Sequence, residues 1–220
     1  MRKITFLFVL TVIVSCTNSL TDSVQKYLMT LSDIYGGKIT VKQRKYLNSN
    51  EKETIISLSN CSYVDYGWIL PEGTANNCAI ELYTKYGSEI GRLSIDVIKN
   101  DSTKYNYRYT SAEIDNMIND FPKIMRHIEQ EIDALIKRDF DKSYEIYLKS
   151  RPYIQKDDFL NITNKLLESF TKSYSDTQII SVQRGRLRAD SIYVINSSIF
   201  DKEGNFSNVY ETLIKKAILN

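Results

Sequence analysis

Apolar residues recur at helical spacing in some segments of the chain and alternate with polar residues in others. Spacing of three and four residues predicts one helix over 20–34 and another from Thr74 to Gly87. Alternation predicts two antiparallel hairpins, one over 39–58 and one over 93–109. The first half of the chain is therefore expected to mix helices with antiparallel strands.

The second half opens with a helix signal at residues 110–113, where the sequence Thr-Ser-Ala-Glu is typical of a capping box. This helical region is expected to continue to about Phe140, with an interruption at Pro122. The next predicted elements are two helices and two extended segments, over 143–148, 157–170, 179–187 and 191–200. The last segment, 209–219, is compatible with a strand or a helix.

These elements predict an α+β fold of two small halves, at 16–110 and 111–220, preceded by a segment of different character at 1–15. In that segment, two basic residues precede eleven residues of which only two threonines are polar. This pattern is typical of a signal peptide. A membrane-spanning helix needs about 20 predominantly apolar residues, so the run is expected to direct export and then to be removed.

The apolar run ends in Ile13-Val14-Ser15-Cys16, which resembles the lipobox of bacterial lipoproteins. The resemblance implies that Cys16 receives a diacylglycerol and becomes an acylated N-terminus, with palmitate-like chains that anchor the protein in a membrane. Two or more acyl chains bind persistently because each buried CH₂ contributes about 0.8 kcal/mol. Thr17 follows in place of the aspartate typical of inner-membrane retention, which favours the outer membrane and its periplasmic or surface face. The alternative is an ordinary secretory signal followed by a coincidental cysteine.

Two further resemblances concern the folded part. The first half is similar to uncharacterised lipoproteins of Bacteroidetes-type bacteria. The segments DFDKSY at 139–144, KDDF at 156–159 and VYET at 209–212 resemble the superfamily named after nuclear transport factor 2. That resemblance implies a cone-like C-terminal half with helices wrapping a curved sheet. The chain departs from the pattern because it ends before the final tryptophan-bearing strand of many members, which would leave the sheet short or completed by another chain.

Two cysteines remain after the anchor, Cys61 and Cys78. An exported protein with an even number of cysteines is compatible with a disulfide, and closing this loop would stabilise the fold by about 3 kcal/mol. The alternative is a pair of separate buried thiols. Sequence alone leaves both outcomes open, because it does not give the distance between the two Cβ atoms.

Charge excludes nucleic acid as a partner. The formal net charge of +2 falls to zero once residues 1–15 are removed, because they hold two basic residues and no acid. The densest basic cluster, Arg184, Arg186 and Arg188, alternates along one predicted strand and so shares a face. That face would contact lipid head groups or an anionic ligand, or it would be a solvated face balanced by Asp190.

Aromatic residues supply the other candidate surface. The only tryptophan, Trp68, lies in a polar loop between the two predicted hairpins. Tyr105, Tyr107 and Tyr109 alternate along one predicted strand and form a ladder on one of its faces. Such a ladder either covers a core or stiffens a sheet, or it presents rings to a sugar, a peptide or a partner.

Catalytic chemistry has few candidates in this sequence. His127 is the only histidine and lies in a charged helical stretch, so it is expected to be a surface or partly packed residue. One histidine and two cysteines do not supply a zinc site, and no glycine-rich phosphate loop or other cofactor motif is present. No catalytic residue is assigned.

The sequence therefore predicts a lipid-anchored envelope protein that acts as a non-catalytic binding or assembly module, with itself or an envelope protein as partner. A sizeable apolar pocket in the C-terminal half would favour binding of a small molecule, peptide or glycan instead. A third alternative is a hydrolase or isomerase that uses a buried acid pair, as glycosidases do.

Overall fold

The computed structural model describes residues 19–31, 35, 37–46, 51–150, 154–169, 177–187, 190–200 and 206–219. Its helices are α1 (Ser19–Thr30), α2 (Ser62–Asp65), α3 (Pro71–Tyr86), α4 (Ser111–Ile136), α5 (Phe140–Ser150) and α6 (Lys156–Ser169). Its strands are β1 (Lys38–Lys45), β2 (Lys52–Ser59), β3 (Arg92–Lys99), β4 (Thr103–Tyr109), β5 (Thr177–Leu187), β6 (Asp190–Phe200) and β7 (Phe206–Lys215). Short 3₁₀ turns follow α3 and β7, at Gly87–Ile90 and Lys216–Leu219. The predicted α+β class is confirmed.

The first sheet contains four strands in the order β1-β2-β3-β4. The two predicted hairpins are confirmed, since β1 pairs with β2 and β3 with β4 in antiparallel register. The prediction of purely antiparallel pairing is wrong for this sheet, because β2 and β3 run parallel, with Ile56 opposite Ile95. The cause is α3, whose 16 residues span about 24 Å and return the chain to the end of the sheet where β2 begins.

Helix α3 begins earlier than the sequence predicted. Pro71 occupies its first turn and Leu70 is the residue before it, whereas Thr74 lies inside the helix with its side chain fully buried. Proline is favoured at a first helical position because its missing N–H would have no partner there. The predicted end at Gly87 is confirmed, and this glycine has a positive φ of 53°.

Helix α4 is continuous from Ser111 to Ile136, so the expected interruption at Pro122 is wrong. The predicted capping box is present, with the Thr110 N–H donating to Glu113 Oε2 at 2.7 Å. A regular stripe of buried side chains runs past the proline on the opposite face of the helix: Ile114, Met117, Ile124, Ile128 and Ile132. Packing of that stripe keeps the helix in one piece despite the lost hydrogen bond.

The second sheet is antiparallel throughout, in the order β5-β6-β7. The segment 209–219, for which the sequence allowed a strand or a helix, is strand as far as Lys215 and a 3₁₀ turn from Lys216. The two sheets fall on either side of the predicted boundary at residue 110. One hydrophobic core nevertheless includes residues of both sides, such as Ile95 and Ile195, which are both fully buried.

No helix in the described ranges has the length and apolar character needed to span a bilayer. The predicted signal peptide at 1–15 and the lipid attachment site at Cys16 lie outside the described residues. The likeness to the superfamily named after nuclear transport factor 2 and the division into two domains both remain predictions.

Candidate functional site

An exposed group of large side chains lies on the loop between α2 and α3. Tyr66, Trp68 and Leu70 expose 73%, 56% and 62% of their surface, respectively. We call these three residues the Trp68 surface. The intervening Ile69 is only 3% exposed and fixes the loop to the core. The loop thus presents three apolar or aromatic side chains to solvent while its own backbone is held from beneath.

Ring contacts and backbone hydrogen bonds support the loop that carries the Trp68 surface. The Trp68 ring lies 5.6 Å from the Tyr66 ring and 6.1 Å from the buried Tyr63 ring, measured between centroids. The Tyr63 carbonyl oxygen accepts from the backbone N–H groups of Trp68 and Ile69, at 2.9 and 3.2 Å. Such pre-organisation lowers the conformational entropy that a binding partner would have to overcome.

The same loop is tied to the turn between β3 and β4. The carboxylate of Asp65 accepts a hydrogen bond from the backbone N–H of Asn100 at 2.7 Å. Asn100 has a positive φ of 50°, a conformation that asparagine adopts more readily than most other residues. The Trp68 surface therefore lies at the end of the first sheet where β2 and β3 finish.

The tyrosine ladder is mostly a cover for the core. Tyr105, Tyr107 and Tyr109 lie opposite Val97, Ile95 and Leu93 across the β3–β4 pair. Exposure falls along the ladder from 38% at Tyr105 to 8% at Tyr109. Of the three rings, that of Tyr105 is the one most accessible to a partner.

Tyr109 belongs to a buried polar link between the two sheets. Its hydroxyl donates to Asn76 Oδ1 at 2.8 Å, and Asn76 Nδ2 donates to the carbonyl oxygen of Val182 in β5 at 2.9 Å. A second link joins α4 to β6, where the Tyr193 hydroxyl donates to Asp120 Oδ2 at 2.6 Å. Sequence reasoning missed both links, because neither pair is close in the chain.

The candidate disulfide is not formed. Cys61 and Cys78 are both fully buried thiols that are not joined to each other, so the alternative of two separate thiols holds. Burial raises the pKa of Cys61 to about 11, and burial also raises the pKa of Cys78. Both thiols are therefore protonated near neutral pH and behave as small apolar side chains.

The arginine cluster is only partly described. Arg184 is exposed, and its guanidinium donates to the carbonyl oxygen of Glu113 at 3.3 Å, so it contacts the first turn of α4. Arg186 lies in β5 opposite Ser191. Arg188 lies outside the described residues. A shared ligand surface for the three arginines remains a prediction.

His127 lies on α4 and is partly buried, as the sequence predicted. Burial lowers its pKa, and the nearby Lys149 ammonium acts in the same direction. In the described part of the chain, no three His, Cys, Asp or Glu side chains gather as a metal site would require. Asp120, one of the two buried acids of α4, accepts a hydrogen bond from the Tyr193 hydroxyl.

Comparisons with known protein families, with curated proteins and with solved structures find no match to this chain.

Proposed function

We propose that the chain is a lipid-anchored protein of the cell envelope with a non-catalytic assembly role, and that it contacts a protein partner through the Trp68 surface. The anchor rests on the likeness of residues 13–16 to a lipobox. The partner surface rests on one observation, the joint exposure of Tyr66, Trp68 and Leu70 on a braced loop.

Exposed, rigid aromatic side chains are what protein interfaces use as anchors. Tryptophan and tyrosine are enriched among the interface residues whose truncation to alanine costs about 2 kcal/mol or more of binding free energy. Each such ring buries about 150–250 Å² when covered, at a low cost in side-chain entropy. Solvent exposure of this apolar area is unfavourable for a free monomer, which is consistent with a covered state in the complex.

The Trp68 surface is also positioned to contact a partner on the side of the protein that faces away from the membrane of the proposed anchor. It adjoins the start of α3, whereas the N-terminal half of α1 contacts the end of α3, where Ser23 Oγ lies 3.1 Å from the Tyr86 hydroxyl. These two ends of α3 are about 24 Å apart. Only two residues separate Cys16 from Ser19, so an anchor at Cys16 would hold the α1 end near the bilayer and turn the Trp68 surface away from it.

The second sheet favours assembly over binding in a C-terminal pocket. Val182, Ile195 and Ile214 share one face of this sheet and are all fully buried in the common core. The same face also carries the buried hydroxyls of Ser197 and Thr212, while its apolar side chains pack into the core. Burial of these apolar side chains in the common core supports a structural role for the second sheet.

The anchor is tested by intact mass and detergent partitioning of the chain beside a Cys16→Ala variant, both expressed in a bacterium with lipoprotein machinery. We expect a mass that matches an acylated Cys16 and partitioning into detergent that the variant loses. A soluble product cleaved at another position would overturn the anchor and leave the Trp68 surface to be tested separately.

The partner surface is tested by placing a photo-crosslinking amino acid at position 68 and, as the control, at position 162. Ile162 is a suitable control because it is 51% exposed but lies on α6. We expect a defined adduct at position 68 in the native cells and none at position 162. Tyr66→Ala is expected to reduce the adduct about tenfold, which corresponds to about 1.4 kcal/mol. Equal labelling at both positions, or none at 68, would refute the proposed surface, and an adduct of the chain with itself would make the partner a second copy.

A further inference from the structure

A cleft of about 480 Å³ opens at the other end of the first sheet, where β2 and β3 begin. Tyr83 and Gly91 lie at its floor, where the Tyr83 hydroxyl donates to the Gly91 carbonyl oxygen at 2.8 Å. Gly91 has a positive φ of 67°, and a Cβ at this position would lie 2.5 Å from the carbonyl oxygen of Lys52. Only glycine permits this close approach of the two strands, so the shape of the floor is fixed by the backbone.

Charged side chains of both signs line this cleft. Glu51 and Arg92 form an ion pair with 3.1 Å between Oε2 and Nη2. Lys52 and Glu89 also line the cleft, and no ion pair or side-chain hydrogen bond within the described residues engages either of them. The lining therefore holds one ion pair together with one exposed cation and one exposed anion that have no partner among the described residues.

We propose that this cleft binds a small zwitterion, a molecule that carries an ammonium group and an acidic group. A ligand with only a negative charge would meet the carboxylates of Glu51 and Glu89. A ligand with only a positive charge would meet Lys52 and Arg92. A zwitterion places its acidic group beside Lys52 and its ammonium beside Glu89, so both uncommitted charges gain a partner.

Two sources supply this chemistry, a phosphoethanolamine head group and the termini of an amino acid or short peptide. The cleft adjoins the end of α3 that Ser23 of α1 contacts, because Tyr86, the partner of Ser23, lies in sequence between the lining residues Tyr83 and Ser88. If the chain is anchored as proposed above, this end faces the bilayer, and the head group is the favoured source. The choice of source rests on that proposed function, whereas the zwitterion site itself rests on the cleft alone.

The test is calorimetric titration of the full purified chain with O-phosphoethanolamine and, separately, with glycylglycine. The single-charge comparison probes are ethanolamine, inorganic phosphate, glycinamide and acetylglycine. Two variants, Lys52→Gln and Glu89→Gln, each remove one exposed charge of the cleft. Lys123→Gln and Glu129→Gln are the matched controls, since both residues are exposed on α4 away from the cleft.

We expect at least one zwitterion to bind with millimolar affinity or better, and every single-charge probe to bind about tenfold more weakly or not at all. Each cleft variant should weaken binding about tenfold, and the α4 controls should leave it unchanged. Preference for phosphoethanolamine identifies a head-group site, and preference for glycylglycine identifies a peptide-terminus site. Equal binding of single-charge probes, equal effects of the control variants, or no binding of either zwitterion would overturn the proposal. None of these outcomes depends on whether Cys16 is acylated, so failure of the cleft and failure of the anchor are distinguishable.

Discussion

Replacement of Asn76 by alanine is expected to destabilise both sheets together. Asn76 is 6% exposed and connects the Tyr109 hydroxyl of the first sheet to the Val182 carbonyl of the second. Its removal leaves both of those buried groups without their partner. Each orphaned group costs about 1–3 kcal/mol, so the expected loss is about 2–6 kcal/mol. That is a large part of the 5–15 kcal/mol or so that stabilises a typical domain.

The assay is urea unfolding followed by two signals. Trp68 fluorescence reports on the first half alone, because this is the only tryptophan, while far-ultraviolet circular dichroism reports on both halves. We expect the two signals to give one coincident transition, with a midpoint that Asn76→Ala lowers by about 1–2 M urea. Tyr109→Phe removes only one of the two hydrogen bonds and should cost about 1–3 kcal/mol.

The control is Tyr86→Phe, which removes a hydroxyl that is hydrogen bonded to Ser23 at the surface. It should cost no more than about 0.5 kcal/mol. An Asn76→Ala loss below about 1 kcal/mol would refute the role of the polar link. Separate transitions for the two signals would show that the halves unfold independently and would support the predicted boundary at residue 110.

Two further predictions concern helix α4 and the buried thiol of Cys61, which precedes α2. Pro122 is exposed within α4, so Pro122→Ala should raise the free energy of unfolding by about 1–3 kcal/mol. The control Lys123→Ala should change it by about zero. A loss of stability in Pro122→Ala would mean that α4 needs the proline for its packing. Burial raises the pKa of Cys61 from 9.0 to about 11. Between these two pH values, the unfolded chain releases the thiol proton while the folded chain keeps it. The free energy of unfolding therefore falls as pH rises through this range. From pH 8 to pH 11 the native chain should lose on the order of 2 kcal/mol more than Cys61→Ala in urea melts, and parallel pH profiles would contradict that pKa.

Local signals in the sequence predicted the elements that depend on nearby residues. The hairpins followed from alternation, and the capping box followed from the three-residue spacing of Thr110 and Glu113. The start of α3 was misplaced because Thr74 carries a typical capping side chain. In the structure this hydroxyl is buried without a hydrogen bond within the described residues, and Pro71 begins the helix instead.

Features that depend on distant residues were not predictable in the same way. The parallel pairing of β2 and β3 needs the length of α3 to match the sheet, which no local pattern encodes. The distance between Cys61 and Cys78 depends on that same crossover. The exposure of Leu70 is a property of the folded surface, because a leucine before a helix is more often buried. Only Trp68 was identified from sequence as part of the candidate surface.

The parallel pairing of β2 and β3 also affects how the chain folds. Each hairpin joins residues that are near in sequence, whereas partners such as Ile56 and Ile95 are about 40 residues apart and must wait for closure of that loop. Until then, each hairpin exposes an apolar strand with unpaired backbone groups along one edge. Two copies that meet at this stage would join through those edges, so the rate of crossover closure sets the time during which the folding chain is exposed to aggregation.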